Sequence, residues 1–95
     1  MAMLTLKGRN EEKVRFSADH LKRALDKVIA DLKGVIVKGP APAPLLRAES
    51  FYRYQLTLLA RQMSVLSSKL AELSQTLSLP DDVSLSIDID PADLG

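Results

Sequence analysis

The chain has 95 residues, 46% hydrophobic and 26% charged, and no cysteine. This excludes a disulfide framework and thiolate chemistry, argues against disorder, and allows one domain over residues 1–95. The net charge of +1 hides a split: residues 1–47 carry 10 Lys/Arg against 5 Asp/Glu, residues 48–95 carry 3 against 7, so either the two halves attract each other or one basic face meets an acidic partner.

Leu4-Thr5-Leu6-Lys7 alternates apolar and polar residues and predicts a short half-buried strand, with Gly8-Arg9-Asn10 as the turn after it. Asn10 is placed to cap a helix that begins with Glu11 and Glu12, acids favoured at the positive end of the helix dipole. Val14, Ala18, Leu21, Leu25, Val28 and Leu32 follow at spacings of 4, 3, 4, 3 and 4, one apolar stripe on a helix that Gly34 closes. Asp19 and Arg23 form an i,i+4 pair on its wet side.

Val35-Ile36-Val37-Lys38 predicts a second strand. Pro40, Pro42 and Pro44 have no N–H to give to a ladder, so residues 39–44 read as a stiff, extended connector leaving an edge strand and keeping that edge from pairing with another chain. Phe51 to Leu59 is the strongest strand signal, with Tyr52, Tyr54, Leu56 and Leu58 on one face and Phe51, Arg53, Gln55 and Thr57 on the other. A second helix spans about Arg61 to Leu79, with Met63, Leu66, Leu70, Leu73 and Leu77 on its stripe and Pro80 as its stop. "VSLSIDID" then alternates until Pro91 ends it. The order βαββαβ predicts an α+β, ferredoxin-like fold: a four-stranded antiparallel sheet with two helices on one face.

The open face of that sheet should carry Thr5, Lys7, Arg53, Gln55, Thr57, Ser84, Ser86, Asp88 and Asp90. RNA-recognition modules of this fold stack bases on aromatics there, but Tyr52 and Tyr54 have core parity and only Phe51 falls outside. Arg53 is a planar donor suited to phosphate or carboxylate; it either binds such a group or pairs across strands with Asp88 or Asp90. Asp88 and Asp90 lack a third ligand and read as solvated carboxylates rather than a metal site. His20 and Phe16 lie off the apolar stripe, at the surface. The lysines and arginines of the first helix are spread around it rather than aligned. No phosphate-binding glycine loop, zinc spacing or nucleophile motif occurs, so the chain alone is not expected to be an enzyme, and it holds no cofactor. "MAMLTLKGRN" lacks the apolar run of a signal peptide, and no segment reaches the roughly 20 apolar residues of a membrane helix. A soluble, cytoplasmic chain with no membrane partner is expected.

Three stretches in order, "VIVKGPAPAPLLR", "FYRYQLTLL" and "LSIDIDPADL", resemble the C-terminal domain of the PriA (primosomal protein N′) helicase family, and the likeness runs from about Leu4 to Leu94. The resemblance implies a piece of a longer polypeptide whose ATPase lobes and zinc module are absent from this chain. It also implies a parent that recognises abandoned replication forks, unwinds DNA 3′ to 5′ with ATP and starts reloading of the replicative helicase. The implied partners are branched or forked DNA, the helicase lobes of the same polypeptide, and the acidic tail of single-stranded DNA-binding protein. The family's docking motif resembles Arg-Tyr-Arg-Trp-Gln; Tyr52, Arg53 and Gln55 match it, Tyr54 stands for the tryptophan, and Phe51 stands where the first arginine would be, so the tail contact lacks that cation here. The candidate DNA or partner contacts are Arg53, Gln55, Arg47, Lys7 and Arg9. The alternatives are a structural brace against the helicase lobes and a free-standing ribosome-like or RNA-binding protein.

Overall fold

The elements follow in the predicted order: β1 (Ala2–Gly8), α1 (Glu11–Val28), a 3-10 turn (Ile29–Asp31), β2 (Ile36–Ala48), β3 (Phe51–Leu59), α2 (Met63–Thr76) and β4 (Val83–Ile89). The computed structural model describes residues 1–48 and 51–89, without the side chains of 43–48 and 63. Asp90 and Pro91, and with them the end of the last predicted strand, lie outside the described residues, as do the side chains of Arg47 and Met63.

The four strands form one antiparallel sheet in the order β2-β3-β1-β4. Leu4 and Leu6 of β1, and Tyr54, Leu56 and Leu58 of β3, are buried in one cluster with Val14, Ala18, Leu21 and Leu25 of α1 and Leu66, Leu70 and Leu73 of α2. Residues of one parity on a strand share a face. Both helices therefore cover the same side of the sheet, and the fold is the α+β, ferredoxin-like βαββαβ arrangement. The other side is left uncovered by them.

α1 begins as its sequence dictates. The Lys13 backbone N–H donates to Asn10 Oδ1 at 3.2 Å, satisfying one of the otherwise unpaired donors of the first turn. Asn10→Ala is expected to cost about 1 kcal/mol, seen as a fall of roughly 4–8 °C in Tm for a domain of this size; thermal unfolding by circular dichroism checks it. The far end differs from expectation. The α-helix stops at Val28 and continues as the 3-10 turn, with Leu32 already extended. Gly34, at φ 75°, belongs to the turn into β2 and not to the helix cap. The ion pair on α1 is Lys22–Asp26 at 2.9 Å, rather than Asp19–Arg23.

α2 is shorter than its apolar spacing suggested. The Ser74 hydroxyl donates to the Ala71 carbonyl at 2.8 Å, and the Thr76 hydroxyl donates to the Glu72 and Leu73 carbonyls at 3.3 Å. These hydroxyls bond back to carbonyls that the helix ladder already uses, and the helix ends at Thr76, four residues before Pro80, with the Leu77 N–H closing the last turn on the Leu73 carbonyl. Pro80 opens the turn into β4 instead, its carbonyl accepting from the Val83 N–H at 3.0 Å.

The largest departure concerns residues 39–44. They do not leave the sheet. They lie inside β2, which pairs with β3 at Ala41–Gln55 and Pro42–Tyr54 and has register shifts between Lys38 and Ala41 and between Pro42 and Arg47. β2 is an edge strand, so only one side of its backbone needs ladder partners, and prolines are compatible with that position. The shifts absorb the mismatch, as bulges do at sheet edges. Gly39 has φ 100°, and a Cβ there would stand 2.7 Å from the Gln55 carbonyl oxygen, so the close approach of β2 to β3 needs glycine.

Candidate nucleic-acid interface

The uncovered face is ordered in rows by the strand register. Arg53, Lys7 and Ser84 form one row across β3, β1 and β4. Gln55, Thr5 and Ser86 form the next, and Thr57, Met3 and Asp88 the one after. Lys38 of β2 joins the row of Thr57. Met3 and Lys38 were not among the residues the sequence placed on this face.

Lys7 and Arg53 are direct cross-strand partners. Their Cβ atoms therefore stand about 4.5–5.5 Å apart, and like charges so placed destabilise a sheet. The anticipated pair of Arg53 with Asp88 does not form. Asp88 sits two rows away and two strands over, roughly 13 Å along the strands and about 10 Å across them. The Asp90 alternative lies outside the described residues. Among the described residues, the ion pairs are Lys13–Asp82 at 3.2 Å and Lys22–Asp26; no carboxylate neutralises Lys7, Arg9 or Arg53.

Phe51 completes this end of the face. Its ring centroid lies 4.6 Å from Lys7 Nζ and 5.3 Å from the Arg9 guanidinium carbon. The register explains the contact: extending the β1–β3 ladder past Gly8–Tyr52 brings Arg9 opposite Phe51, with Lys7 on the diagonal. Gly8 allows β1 to run this far. A Cβ there would meet Val14 Cγ2 at 2.8 Å and the Asp82 carbonyl at 3.0 Å, so only glycine lets α1 and the turn into β4 close over it.

Of the predicted contacts, Lys7, Arg9 and Arg53 come together at one end of the face. Gln55 lies one row inward. The backbone of Arg47 pairs in register with that of Tyr52, and its side chain lies outside the described residues. Tyr54 is buried and Tyr52 packs partly buried against the core, which removes both from the face where bases would stack. The missed feature is the Phe51 cluster, whose signal was the shared parity of Lys7, Arg9, Phe51 and Arg53.

Two hollows, of about 280 and 240 Å³, lie elsewhere. The first is lined by Asp31, Lys33 and Arg61 with Leu32, Val35 and Val65. The second is lined by Lys13, Phe16 and His20 with Leu79 and Pro80. Among the described residues His20 lies beside Ser17 and Ser78 in this second hollow. Also among the described residues, no group of three His, Cys, Asp or Glu is placed to hold a metal ion, and no helix is long and apolar enough to cross a membrane.

The comparison with curated proteins gave no match. A family model described as the primosomal protein N C-terminal domain matches residues 1–92, nearly the whole chain. With the βαββαβ sheet and its uncovered face in place, the chain belongs to the family of primosomal protein N C-terminal domains.

Proposed function

We propose that the chain is a non-catalytic DNA- and protein-binding domain of a bacterial replication-restart helicase, acting in the cytoplasm on branched or forked DNA. The parent would supply ATP-driven 3′ to 5′ unwinding and the zinc module, while this domain holds DNA backbone and an acidic protein tail. One observation carries the reading. Lys7 and Arg53 oppose each other across the ladder with no carboxylate partner among the described residues. A sheet gains nothing in stability from such a pair, whereas a phosphate or peptide carboxylate placed between them meets two cations at once. Gln55, one row inward, adds an uncharged donor.

Fluorescence anisotropy of labelled forked and single-stranded DNA, titrated with the chain between 50 and 200 mM salt, tests this. If Lys7, Arg9 and Arg53 each meet one phosphate, log K falls against log salt with a slope of about −2 to −3. Absence of binding at the lowest salt would overturn the DNA part of the reading.

A second reading, a brace packed against the helicase lobes, is supported by Phe16, 64% exposed on α1 beside Leu79 and Pro80. It makes the opposite prediction for Arg53: charge reversal there leaves DNA binding by the full-length helicase unchanged.

A further inference from the structure

We infer that Phe51 is a positioning residue, whose ring gathers Lys7 and Arg9 into a single phosphate-binding unit beside Arg53. This rests on the DNA-binding reading above and names the residue that organises the site. Lysine and arginine side chains have several rotatable bonds each, and ordering them at the moment of binding costs affinity. A cation held over an aromatic face is attracted by the ring quadrupole. Lys7 Nζ at 4.6 Å and the Arg9 guanidinium at 5.3 Å both lie within that range of the Phe51 centroid.

The ring therefore holds two cations on one site, although they repel each other and no carboxylate among the described residues compensates them. With Arg53 opposite Lys7 in the same row, the unit presents three cations at one end of the sheet. The ring is engaged by the cations rather than offered to a base, so the ligand chemistry is the phosphodiester backbone, read without base identity.

Four variants of the chain test this against a labelled single-stranded oligonucleotide: Phe51→Leu, Phe51→Tyr, Lys7→Ala and Arg9→Ala. Thermal unfolding first establishes that each is folded. Phe51→Leu keeps an apolar side chain and removes the quadrupole. It should weaken binding roughly three- to tenfold, with the salt slope unchanged because all three cations remain. Phe51→Tyr should restore wild-type affinity. In proton spectra of the free chain, the Lys7 ε-methylene should sit upfield in the wild type and Phe51→Tyr and return to its ordinary position in Phe51→Leu. Lys7→Ala and Arg9→Ala should each lower the salt slope by roughly 0.7.

If Phe51→Leu binds like the wild type while Lys7→Ala and Arg9→Ala weaken binding, the positioning role is overturned and the DNA reading stands. A tyrosine variant as weak as the leucine variant also overturns it. If neither Lys7→Ala nor Arg9→Ala changes affinity, the DNA reading falls and the positioning role with it.

Discussion

Lys7→Glu is expected to make the chain more stable and to weaken DNA binding by about two orders of magnitude. Both effects come from the same contact. Lys7 stands directly opposite Arg53 in the β1–β3 ladder. Glutamate converts a like-charge pair into an opposite one, worth roughly 0.2–1 kcal/mol across a sheet, or up to several degrees in Tm. The new carboxylate also occupies Arg53, so the two phosphate contacts proposed for this pair are lost together. At about 1.5 kcal/mol for each charge-assisted hydrogen bond, that amounts to roughly 3 kcal/mol, or about a hundredfold. The two readouts are a thermal melt and the anisotropy titration at 50 mM salt. A variant that melts higher and still binds as tightly as the wild type would remove Lys7 and Arg53 from the interface. A variant that melts several degrees lower would mean that the two side chains do not face each other.

Leu4→Ala is expected to be the most damaging single change to the fold. β1 lies between β3 and β4 in the sheet, and Leu4 on its helix-facing side is 0% exposed. Truncating a leucine in such a position costs about 2–5 kcal/mol, because the surrounding side chains fill the void only in part. A domain of this size holds only 5–15 kcal/mol or so in total, so a large share is lost at one position. Urea unfolding should show a much lower midpoint with the slope preserved. Ile36, on the edge strand β2 and 56% exposed, provides the contrast: Ile36→Ala should stay within about 0.5 kcal/mol of the parent. Equal losses at both positions would contradict the placement of β1 in the interior of the sheet.

Parity made much of this fold legible from the sequence. Alternation in "LTLK", "FYRYQLTLL" and "VSLSIDI" assigned each side chain to a face, and the helical stripes supplied the layer that covers one of them. Parity assigns a face, however, and not a row. Which strand residues stand opposite each other depends on non-local register, so an Arg53–Asp88 pair looked reasonable although two rows separate them. The Phe51 cluster stayed hidden for the same reason, because it appears only when Arg9 is set opposite Phe51. The prolines misled differently. That proline gives no ladder donor is correct, but an edge strand needs donors on one side only, so residues 39–44 stay in β2. At the end of α2, the helix stops at Thr76 although the apolar spacing continues to Leu77, because an apolar stripe marks a buried face and not the residue at which the backbone leaves the helix.

The two margins of the sheet are chemically unequal. β2 carries three residues with no N–H and two register shifts, while β4 is regular and proline-free along its seven residues. A fibril grows only from units that can template on both flanks, and this unit offers one. Two copies that zipped together along β4 would expose only proline-bearing margins, and the stack would terminate there. Even at high local concentration the domain is thereby protected from forming an endless cross-β array.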